Sequence, residues 1–223
     1  RLGRRINVKN SGEAFEKDGF WLYGYNDRNE VTTASNFTGR DLNDQTMPQI
    51  ERNRVYQYDP ISNRISSVEG DYHIRYQTNN LNQYERVSGS DQEEESLNYD
   101  DDGNLIEDNR FKYFWNAENR LVAVEQKNNK KGSKRLEFAY DYMGRRALKK
   151  VFQFIGNGYK LHETNCFVYD GWNIVKETKL EAGVSVDKMY VWGLDLSQSL
   201  HEAGGVGGLL AASDVCAAYS YMF

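Results

Sequence analysis

Three consecutive aspartates, Asp100 to Asp102, precede Gly103 and Asn104, and clustered carboxylates beside a glycine raise the question of a calcium loop. An EF-hand loop alternates its acidic ligands, so that every second side chain faces the ion, and it places a bidentate glutamate at position twelve. Here the aspartates are adjacent, so their side chains point to opposite faces of an extended segment, and no such glutamate follows. The pattern favours a turn, in which Asp100 binds backbone rather than metal.

The other residues that could do chemistry are scattered. His73, His162 and His201 lie far apart in sequence, and no cysteine stands at ligand spacing from them. No Gly-x-Ser-x-Gly elbow supports a serine nucleophile. The glycines 204–208 fit neither a P-loop nor a dinucleotide fingerprint, because Leu210 occupies the place of the last glycine. We therefore predict no catalytic residue, no cofactor and no metal, and a flexible or close-packed turn at these glycines.

Composition limits the class of protein and its partners. The 223 residues include 16 Tyr and are 13% aromatic, which argues against a disordered chain, although the mean hydropathy of −0.80 is polar for a compact domain. A net charge of −5 gives no support for binding nucleic acid, and no apolar run is long enough to span a membrane. Cys166 and Cys216 form no disulfide framework and are interpreted as buried or inert thiols, with the redox compartment left open.

An irregular internal repeat explains the aspartates. The unit is aromatic-x-aromatic-Asp, a few turn residues with Gly or Asn, and then Arg or Leu. Its copies are YQYDPISNRISSV (Tyr56 to Val68), LNYDDDGNLIED (Leu97 to Asp108), YFWNAENRLVAV (Tyr113 to Val124), FAYDYMGRRALKKV (Phe138 to Val151) and FVYDGWNIVKET (Phe167 to Thr178), with weaker copies LYGYNDRNEVTTA (Leu22 to Ala34) and IRYQTNNLNQYERV (Ile74 to Val87).

The repeat predicts strands joined by tight turns. Aromatic and β-branched residues alternate with polar ones before each turn, which is typical of β-strands. The Asp or Asn after the aromatic can close an Asx-type turn, and glycines such as Gly103 and Gly144 tolerate the positive φ that hairpins require. The fold class is therefore all-β, with consecutive antiparallel hairpins in sequence order. The basic run Lys127 to Arg135 and the acidic run Asp91 to Ser96 are interpreted as solvated loops.

Each copy contributes structural residues, and two tryptophans suggest a ligand. The residues assigned to the repeat motif are Tyr58, Asp59, Tyr99, Asp100, Gly103, Trp115, Asn116, Tyr140, Asp141, Gly144, Tyr169 and Asp170. Trp172 and Trp192 flank turn or glycine positions rather than strand centres, so we consider them as carbohydrate contacts. The period-two placement of the aromatics favours structural ladders over a sugar-binding surface.

The residues resemble those of the YD-repeat, or Rhs (rearrangement hot spot), proteins. The matching stretches are LGRRI, YDPISNRI, YDDDGNL, WNAENRLVAVE, YDYMGRR, YDGWNIV and the tail YVWGLDLSQSLHEAGGVGGLLA (Tyr190 to Ala211). The resemblance implies a β-strand ribbon that spirals into a hollow shell. In bacterial toxin systems such a shell encloses a toxic C-terminal domain, whereas in the animal teneurins a similar shell serves cell adhesion.

The resemblance also implies an organisation. Residues 1–189 would be YD repeats, and residues 190–223 would be a segment similar to the C-terminal part of the Rhs core. Both ends look like interrupted repeats, at Leu2 and at Phe223. The family's Pro-rich core motif is missing, because Asp59-Pro60 continues as Ile-Ser, so self-cleavage is assigned to no residue here.

These observations lead to two expectations. The first is a non-catalytic structural segment of a shell that encapsulates or presents a C-terminal toxin domain, in a bacterial protein that is secreted or displayed on the cell surface. Its partners would be neighbouring repeats and the enclosed domain. The alternative is a surface protein for adhesion or carbohydrate binding without toxin cargo.

Overall fold

The computed structural model describes residues 3–91, 93–214 and 220–222. Among them, the single helical element is a 3₁₀ turn at Ile50–Arg52, and every other regular element is a β-strand. The strands fall into two units, one ending at Asn98 and the other beginning at Tyr99. Each unit contains one antiparallel sheet whose strands are neighbours in sequence order. The prediction of an all-β fold of consecutive antiparallel hairpins is confirmed.

The sheet of the first unit has eight strands. They are β1 (Asn7–Asn10), β2 (Gly19–Tyr25), β3 (Val31–Thr38), β4 (Arg54–Tyr58), β5 (Arg64–Glu69), β6 (Tyr72–Thr78), β7 (Tyr84–Gly89) and β8 (Glu95–Ser96). Along β6, half-buried residues alternate with exposed ones, because every second side chain lies on the same face. The aromatic residues Tyr72 and Tyr76 lie on the half-buried face.

The sheet of the second unit has eleven strands. They are β9 (Asn98–Tyr99), β10 (Leu105–Glu107), β11 (Phe111–Trp115), β12 (Leu121–Gln126), β13 (Lys134–Tyr140), β14 (Arg146–Ile155), β15 (Gly158–Asp170), β16 (Asn173–Glu181), β17 (Val184–Trp192), β18 (Leu209–Asp214) and β19 (Ser220–Met222). Strand β17 contains residues 189 and 190, between which the resemblance places a domain boundary; that boundary stays a prediction.

Few side chains are fully buried. In the first unit Phe20 is completely enclosed and stacks on Phe37 with ring centroids 5.2 Å apart. In the second unit the buried apolar residues include Ala123 and Val151. Most aromatic residues of the repeats are half-buried instead, so cohesion comes largely from contacts between neighbouring strands.

Because the strands follow one another, the connections alternate between the two sides of each sheet at which strands end, and we call each such side an edge. We call the edge that carries the repeat turns the motif edge; it includes residues 26–30, 59–63 and 79–83 in the first sheet and 100–104, 116–120, 141–145, 171–172 and 193–208 in the second. We call the opposite edge the connector edge; it includes residues 11–18, 39–53 and 70–71 in the first sheet and 108–110, 127–133, 156–157 and 182–183 in the second.

Candidate functional site

The motif edges carry one five-residue turn many times over. Its copies among the described residues are 26–30, 59–63, 79–83, 100–104, 116–120, 141–145 and 195–199. In each copy the N–H of the first residue donates to the carbonyl of the fifth, and the N–H of the fourth donates to the carbonyl of the first. The fourth residue has a positive φ, from 55° at Asn119 to 85° at Gly103. This combination is a type I turn followed by a left-handed residue, a common three-residue hairpin loop.

The first residue of the turn, Asp or Asn, uses its side chain to hold the loop. The Asp100 Oδ1 atom accepts the N–H groups of Asp102 and Asn104 at 3.1 and 2.8 Å. Asp59, Asn116 and Asp141 accept the corresponding pair of N–H groups in their own turns. The three adjacent aspartates are thus part of a turn in which Asp100 binds the backbone.

These hydrogen bonds also stabilise the charged form of the aspartates. Partial burial acts to raise the pKa of Asp100, but hydrogen bonds from the Asn104 side chain and from backbone N–H groups outweigh it, and the pKa lies below its ordinary value. The pKa of Asp59 is lowered first by the Asn63 side chain. Since a carboxylate that accepts several N–H groups is favoured over the neutral acid, the turns are most stable when ionised.

The strand that returns from the turn contains a bulge. In the hairpin 54–69, Tyr58 pairs with Arg64 but Gln57 pairs with Ser66, so Ile65 has no partner of its own. The same one-residue shift recurs in the hairpins of β2–β3, β6–β7, β11–β12, β13–β14, β15–β16 and β17–β18. A bulge bends its strand and increases the local twist.

The aromatic residue before the turn reaches back to the preceding hairpin. Its side-chain donor binds a backbone carbonyl just after the preceding turn, at the first residue in four cases and at the second, Ile174, in the fifth. The bonds are Tyr58 Oη to Val31 O at 2.9 Å, Trp115 Nε1 to Leu105 O at 2.8 Å, Tyr140 Oη to Leu121 O at 2.7 Å, Tyr169 Oη to Arg146 O at 3.0 Å and Trp192 Nε1 to Ile174 O at 2.7 Å. Each carbonyl lies beyond the last residue pair that joins the two strands, so the side chain extends the ladder.

Turns also bind the next turn through their own side chains. Asn63 Nδ2 donates to Asn82 Oδ1 at 2.5 Å, and Asn104 Nδ2 donates to Asn119 Oδ1 at 3.0 Å. In both cases the fifth residue of one turn contacts the positive-φ residue of the next.

Arginine takes the place of asparagine in two later turns. Arg120 lies 3.5 Å from the carbonyl of Asp141, and Arg145 donates to the carbonyl of Gly171. Their guanidinium groups also lie over the Tyr140 and Tyr169 rings, at 5.9 and 5.0 Å from the centroids. The side chains of the motif edge thus connect each hairpin to both neighbours.

One residue assigned to the repeat behaves differently from the others. Asp170 ends β15 and pairs with Asn173 across the two-residue loop of Gly171 and Trp172. Gly171 has a φ of 56°. The segment Asp170 to Asn173 has one turn residue fewer than Asp100 to Asn104, so no five-residue turn forms and Asp170 does not hold one. Its carboxylate lies 4.0 Å from His201 Nε2 instead.

Sequence reasoning missed a copy of the turn at Asp195. This side chain is 3% exposed, and it accepts the N–H and hydroxyl of Ser197, at 2.8 and 2.5 Å, and the N–H groups of Ala203 and Gly205, at 2.7 and 3.3 Å. The Ser197 hydroxyl is the main cause of a pKa lowered to about 2. The signal was weak because the aromatic residue, Trp192, stands three positions before the aspartate rather than next to it.

The glycines 204–208 pack closely within the loop that Asp195 organises. A side-chain carbon on Gly205 would lie 2.1 Å from Asn173 Oδ1, and one on Gly208 would lie 3.0 Å from the carbonyl of Gly193. Close packing therefore explains Gly205 and Gly208, whereas Gly204 has open space around it and a positive φ of 66°.

The two candidate sugar contacts differ. Trp172 is 56% exposed in its two-residue loop. Trp192 is half-buried at the end of β17, and its indole N–H is already engaged by Ile174. Trp192 thus occupies a structural position, and the carbohydrate hypothesis, now centred on Trp172, stays a prediction.

The remaining candidate sites concern metal binding, membrane insertion and the two cysteines. In the part of the chain that the structure describes, no three residues among His, Cys, Asp and Glu are grouped so that they could hold a metal ion, and no helix is suited to crossing a membrane. Cys166 is free and exposed, which corrects the expectation of burial: its strand turns that face to solvent. Cys216 lies outside the described residues.

Comparison with curated proteins identifies relatives that are named as tRNA nucleases. The chain is 34% identical over 144 residues to the tRNA3(Ser)-specific nuclease WapA of Bacillus spizizenii and 33% identical over 144 residues to the tRNA nuclease WapA of Bacillus subtilis strain 168. Each match covers 62% of this chain, which spans 5% of the length of each relative. No family model matches the chain.

Comparison with solved structures supports the fold. The crystal structure of TcdB2-TccC3 matches 86% of this chain with a TM-score of 0.55 and 14% identity, over 12% of its own length. The crystal structure of TcdB2-TccC3 without its hypervariable C-terminal region matches with a TM-score of 0.54 and 13% identity. At these identities the likeness concerns the fold alone.

Proposed function

We propose, from the premise that this chain is an Rhs/YD-repeat protein, that it is a non-catalytic wall segment of a β-sheet shell that encloses a domain of the same protein. The observation that carries the proposal is the double connection of each hairpin on the motif edge. Aromatic side chains reach back and turn side chains reach forward, so the same contacts can be repeated along a sheet of any length.

The relatives' names support a toxin as the enclosed domain. WapA is named as a nuclease for tRNA, yet this chain matches only 5% of its length. Because the clustered aspartates at Asp100 form a structural turn, as their spacing predicted, we propose that any such activity belongs to another part of the protein. Its partners would then be neighbouring repeats and the enclosed domain, and its location would be extracellular or on the cell surface.

The first experiment is peptide mapping by mass spectrometry of the protein isolated from its own cells. We expect a chain much longer than 223 residues, whose distinct additional domain resists added protease while the repeats are intact. A variant that opens a motif turn, such as an insertion between Ala117 and Glu118, should expose that domain to protease, whereas an insertion between the exposed residues Glu16 and Lys17 should not. A chain composed of repeats alone, or a domain digested equally in all three proteins, would contradict enclosure.

A second experiment tests whether the 223-residue chain or another part of the protein cleaves tRNA. The 223-residue chain and the full-length protein are incubated with purified tRNA, and cleavage is followed by gel electrophoresis. We expect no cleavage by the 223-residue chain. We expect cleavage by the full-length protein once denaturation has opened the shell and the enclosed domain has refolded. Cleavage by the 223-residue chain itself would overturn the non-catalytic assignment.

The surface alternative depends on Trp172. An exposed indole in a tight loop can stack on a sugar ring. If the chain binds carbohydrate, titration with a panel of glycans should quench its tryptophan fluorescence, and Trp172→Phe should remove the quenching. The matched control is Trp115→Phe, because Trp115 is engaged within the sheet. A flat titration would eliminate this alternative.

A further inference from the structure

A concavity of about 400 Å³ lies on the aromatic face of the first sheet, among β2, β3, β4 and β5. Four rings and two guanidinium groups line it, together with two small apolar residues. The rings are those of Trp21, Tyr23, Tyr56 and Tyr58, and the guanidinium groups are those of Arg54 and Arg64. This size is suited to a small ligand or to one or two side chains of a peptide.

Arg64 is held in the concavity without an acidic partner. Its guanidinium carbon lies 4.5 Å from the centroid of Tyr56 and 5.9 Å from that of Tyr76. The buried Nε atom has no hydrogen-bond partner. Burial acts to lower the pKa of Arg64, but hydrogen bonds to the Tyr76 and Tyr58 side chains raise it, so other guanidinium N–H groups have only neutral acceptors. A carboxylate is a stronger acceptor than a hydroxyl, and the buried Nε–H without an acceptor is costly.

The charge of the concavity is uncompensated. Among the described residues that line it, two are arginines and none is Asp or Glu. The carboxylate nearest to Arg54 is that of Glu69, at 3.7 Å, and both side chains are nearly half exposed. Such an open pair is weak and leaves Arg54 free to turn toward a stronger acceptor.

The repeat itself does not impose this arrangement. Arg146 occupies the equivalent position, directly after a motif turn, and lies between the rings of Phe138 and Phe167, at 5.7 and 5.1 Å from the centroids. Arg146, however, is exposed, whereas Arg64 is half-buried. The burial of Arg64 is therefore a property of this concavity and not of every copy.

We propose that the concavity binds an organic carboxylate with an aromatic or aliphatic body. The carboxylate binds the guanidinium of Arg64 in a forked pair, with Arg54 as a second donor. The body covers the rings of Trp21 and Tyr23. The carboxylate belongs either to a free small molecule or to an acidic side chain of a peptide. This inference does not depend on the shell function.

Calorimetric titration of the 223-residue chain tests the chemistry without any substitution. The probes are N-acetyl-phenylalanine, whose carboxylate is terminal, and acetyl-Asp-Phe-amide, whose carboxylate is on a side chain. Their controls are N-acetyl-phenylalaninamide and acetyl-Asn-Phe-amide. We expect at least one acid to bind at least tenfold more tightly than its amide, and the stronger acid distinguishes the two sources. Equal binding of each acid and its amide, or no binding of either acid, would overturn the proposal.

Two variants assign the site. Arg64→Gln should weaken binding of the preferred acid at least tenfold, whereas Arg146→Gln, at the equivalent repeat position, should leave it unchanged. The melting temperature of each variant reports whether it folds. If Arg64→Gln does not fold, Arg54→Gln decides, with an expected loss of about threefold. Unchanged binding by a folded Arg64→Gln variant, or by Arg54→Gln in the case where it decides, would overturn the assignment.

Discussion

On the motif edge, seven described turns have the same length of five residues, the same two backbone hydrogen bonds and a positive φ at the fourth residue, whereas connections on the connector edge range from two residues to fifteen. Both edges close antiparallel hairpins of the same sheets. Connections on both edges bind neighbours, as Gly70 N–H does to the Asn53 carbonyl on the connector edge. The five-residue turns differ in that they repeat the same kind of lateral bond, such as Asn104 to Asn119, and this repetition favours a constant turn size.

This contrast shows which contacts determine the order and register of the hairpins in the sheet. Backbone pairing holds strands together along their whole length, but it does not distinguish one neighbouring hairpin from another. The side chains of the motif edge add contacts that form only in one register. The lateral bonds of the connector edge differ from loop to loop, as in Gly39 to Asp18 and Lys127 to Asp108, so they impose no common length on its loops.

An insertion should have the largest effect. Adding Gly-Ser between Ala117 and Glu118 removes the hydrogen bonds that Asn116 Oδ1 accepts from the N–H groups of Glu118 and Arg120, and it displaces Arg120 from the next turn. We therefore expect a loss of about 2–4 kcal/mol in the free energy of unfolding. The same insertion between the exposed residues Glu16 and Lys17, on the connector edge, should cost under about 1 kcal/mol. Chemical denaturation measures both. Equal losses would mean that the edges are not different.

Removing the first side chain of one turn should have a smaller effect. Asn116→Ala leaves the N–H groups of Glu118 and Arg120 without their acceptor, at an expected cost of about 1–2 kcal/mol. The control is Asn157→Ala in the loop 156–157 of the connector edge, which should stay within about 0.5 kcal/mol of the parent. A cost at Asn157 as large as at Asn116 would contradict the comparison.

The fourth position of the turn allows a sharper test. Gly144 has a φ of 80°, and a side-chain carbon there would lie 3.3 Å from the Arg120 guanidinium. Gly144→Ala should cost about 1 kcal/mol, whereas Gly144→Asn should cost less, because Asn82 and Asn119 adopt this conformation in their own turns. Gly158→Ala, at an ordinary φ in β15, is the control. Thermal melting of the three variants gives the order, and a more stable Ala than Asn variant would contradict it.

Acid should destabilise the motif edge, and this is the smallest effect that we predict. Near neutral pH it should be absent. The pKa values of Asp59, Asp100 and Asp141 are lowered in the folded chain, and that of Asp195 is lowered to about 2. A lowered folded pKa stabilises the fold at pH values above the ordinary value of 3.8, and the contribution is lost as the pH falls through the folded pKa. The melting temperature should therefore be constant above about pH 5 and fall between about pH 4 and pH 2.

The matched variant keeps the turn and removes the titration. Asn already occupies the first position at Asn26, Asn79 and Asn116, so the triple variant Asp59→Asn, Asp100→Asn, Asp141→Asn should retain the geometry. Its melting temperature should fall less steeply between pH 4 and pH 2. Asp71→Asn on the connector edge is the control. Identical slopes for the triple variant and the parent would show that other groups dominate.

Much of this architecture could be predicted from the sequence. Alternation of aromatic and polar residues indicated the strands, and an aspartate followed by glycine indicated the turns, because both signals are local. Spacing also distinguished the Asp100 turn from a calcium loop. The first position of the turn was therefore visible wherever the aromatic residue stood directly before it.

The features that could not be predicted depend on contacts between residues that are distant in sequence, or depart from the local pattern. The shorter loop after Asp170 and the displaced aromatic before Asp195 departed from the local pattern. The bonds from Tyr140 to Leu121 and from Arg145 to Gly171 cross between hairpins, and no spacing rule gives their partners. The concavity at Arg64 required knowing that β2 and β4, which are not adjacent in the sheet, each contribute two rings to the same place.

The lateral bonds of the motif edge have a direction, and it bears on synthesis. Tyr140 and Tyr169 reach back over 19 and 23 residues, and Arg120 and Arg145 reach forward over 21 and 26. Contacts this local form rapidly, since little loop entropy opposes them. A hairpin emerging from the ribosome thus meets a completed neighbour that already presents its acceptor carbonyl. We expect protease protection of ribosome-bound chains to rise hairpin by hairpin with chain length, and a single late transition would contradict this. The sheet is built to be assembled in the order in which it is translated.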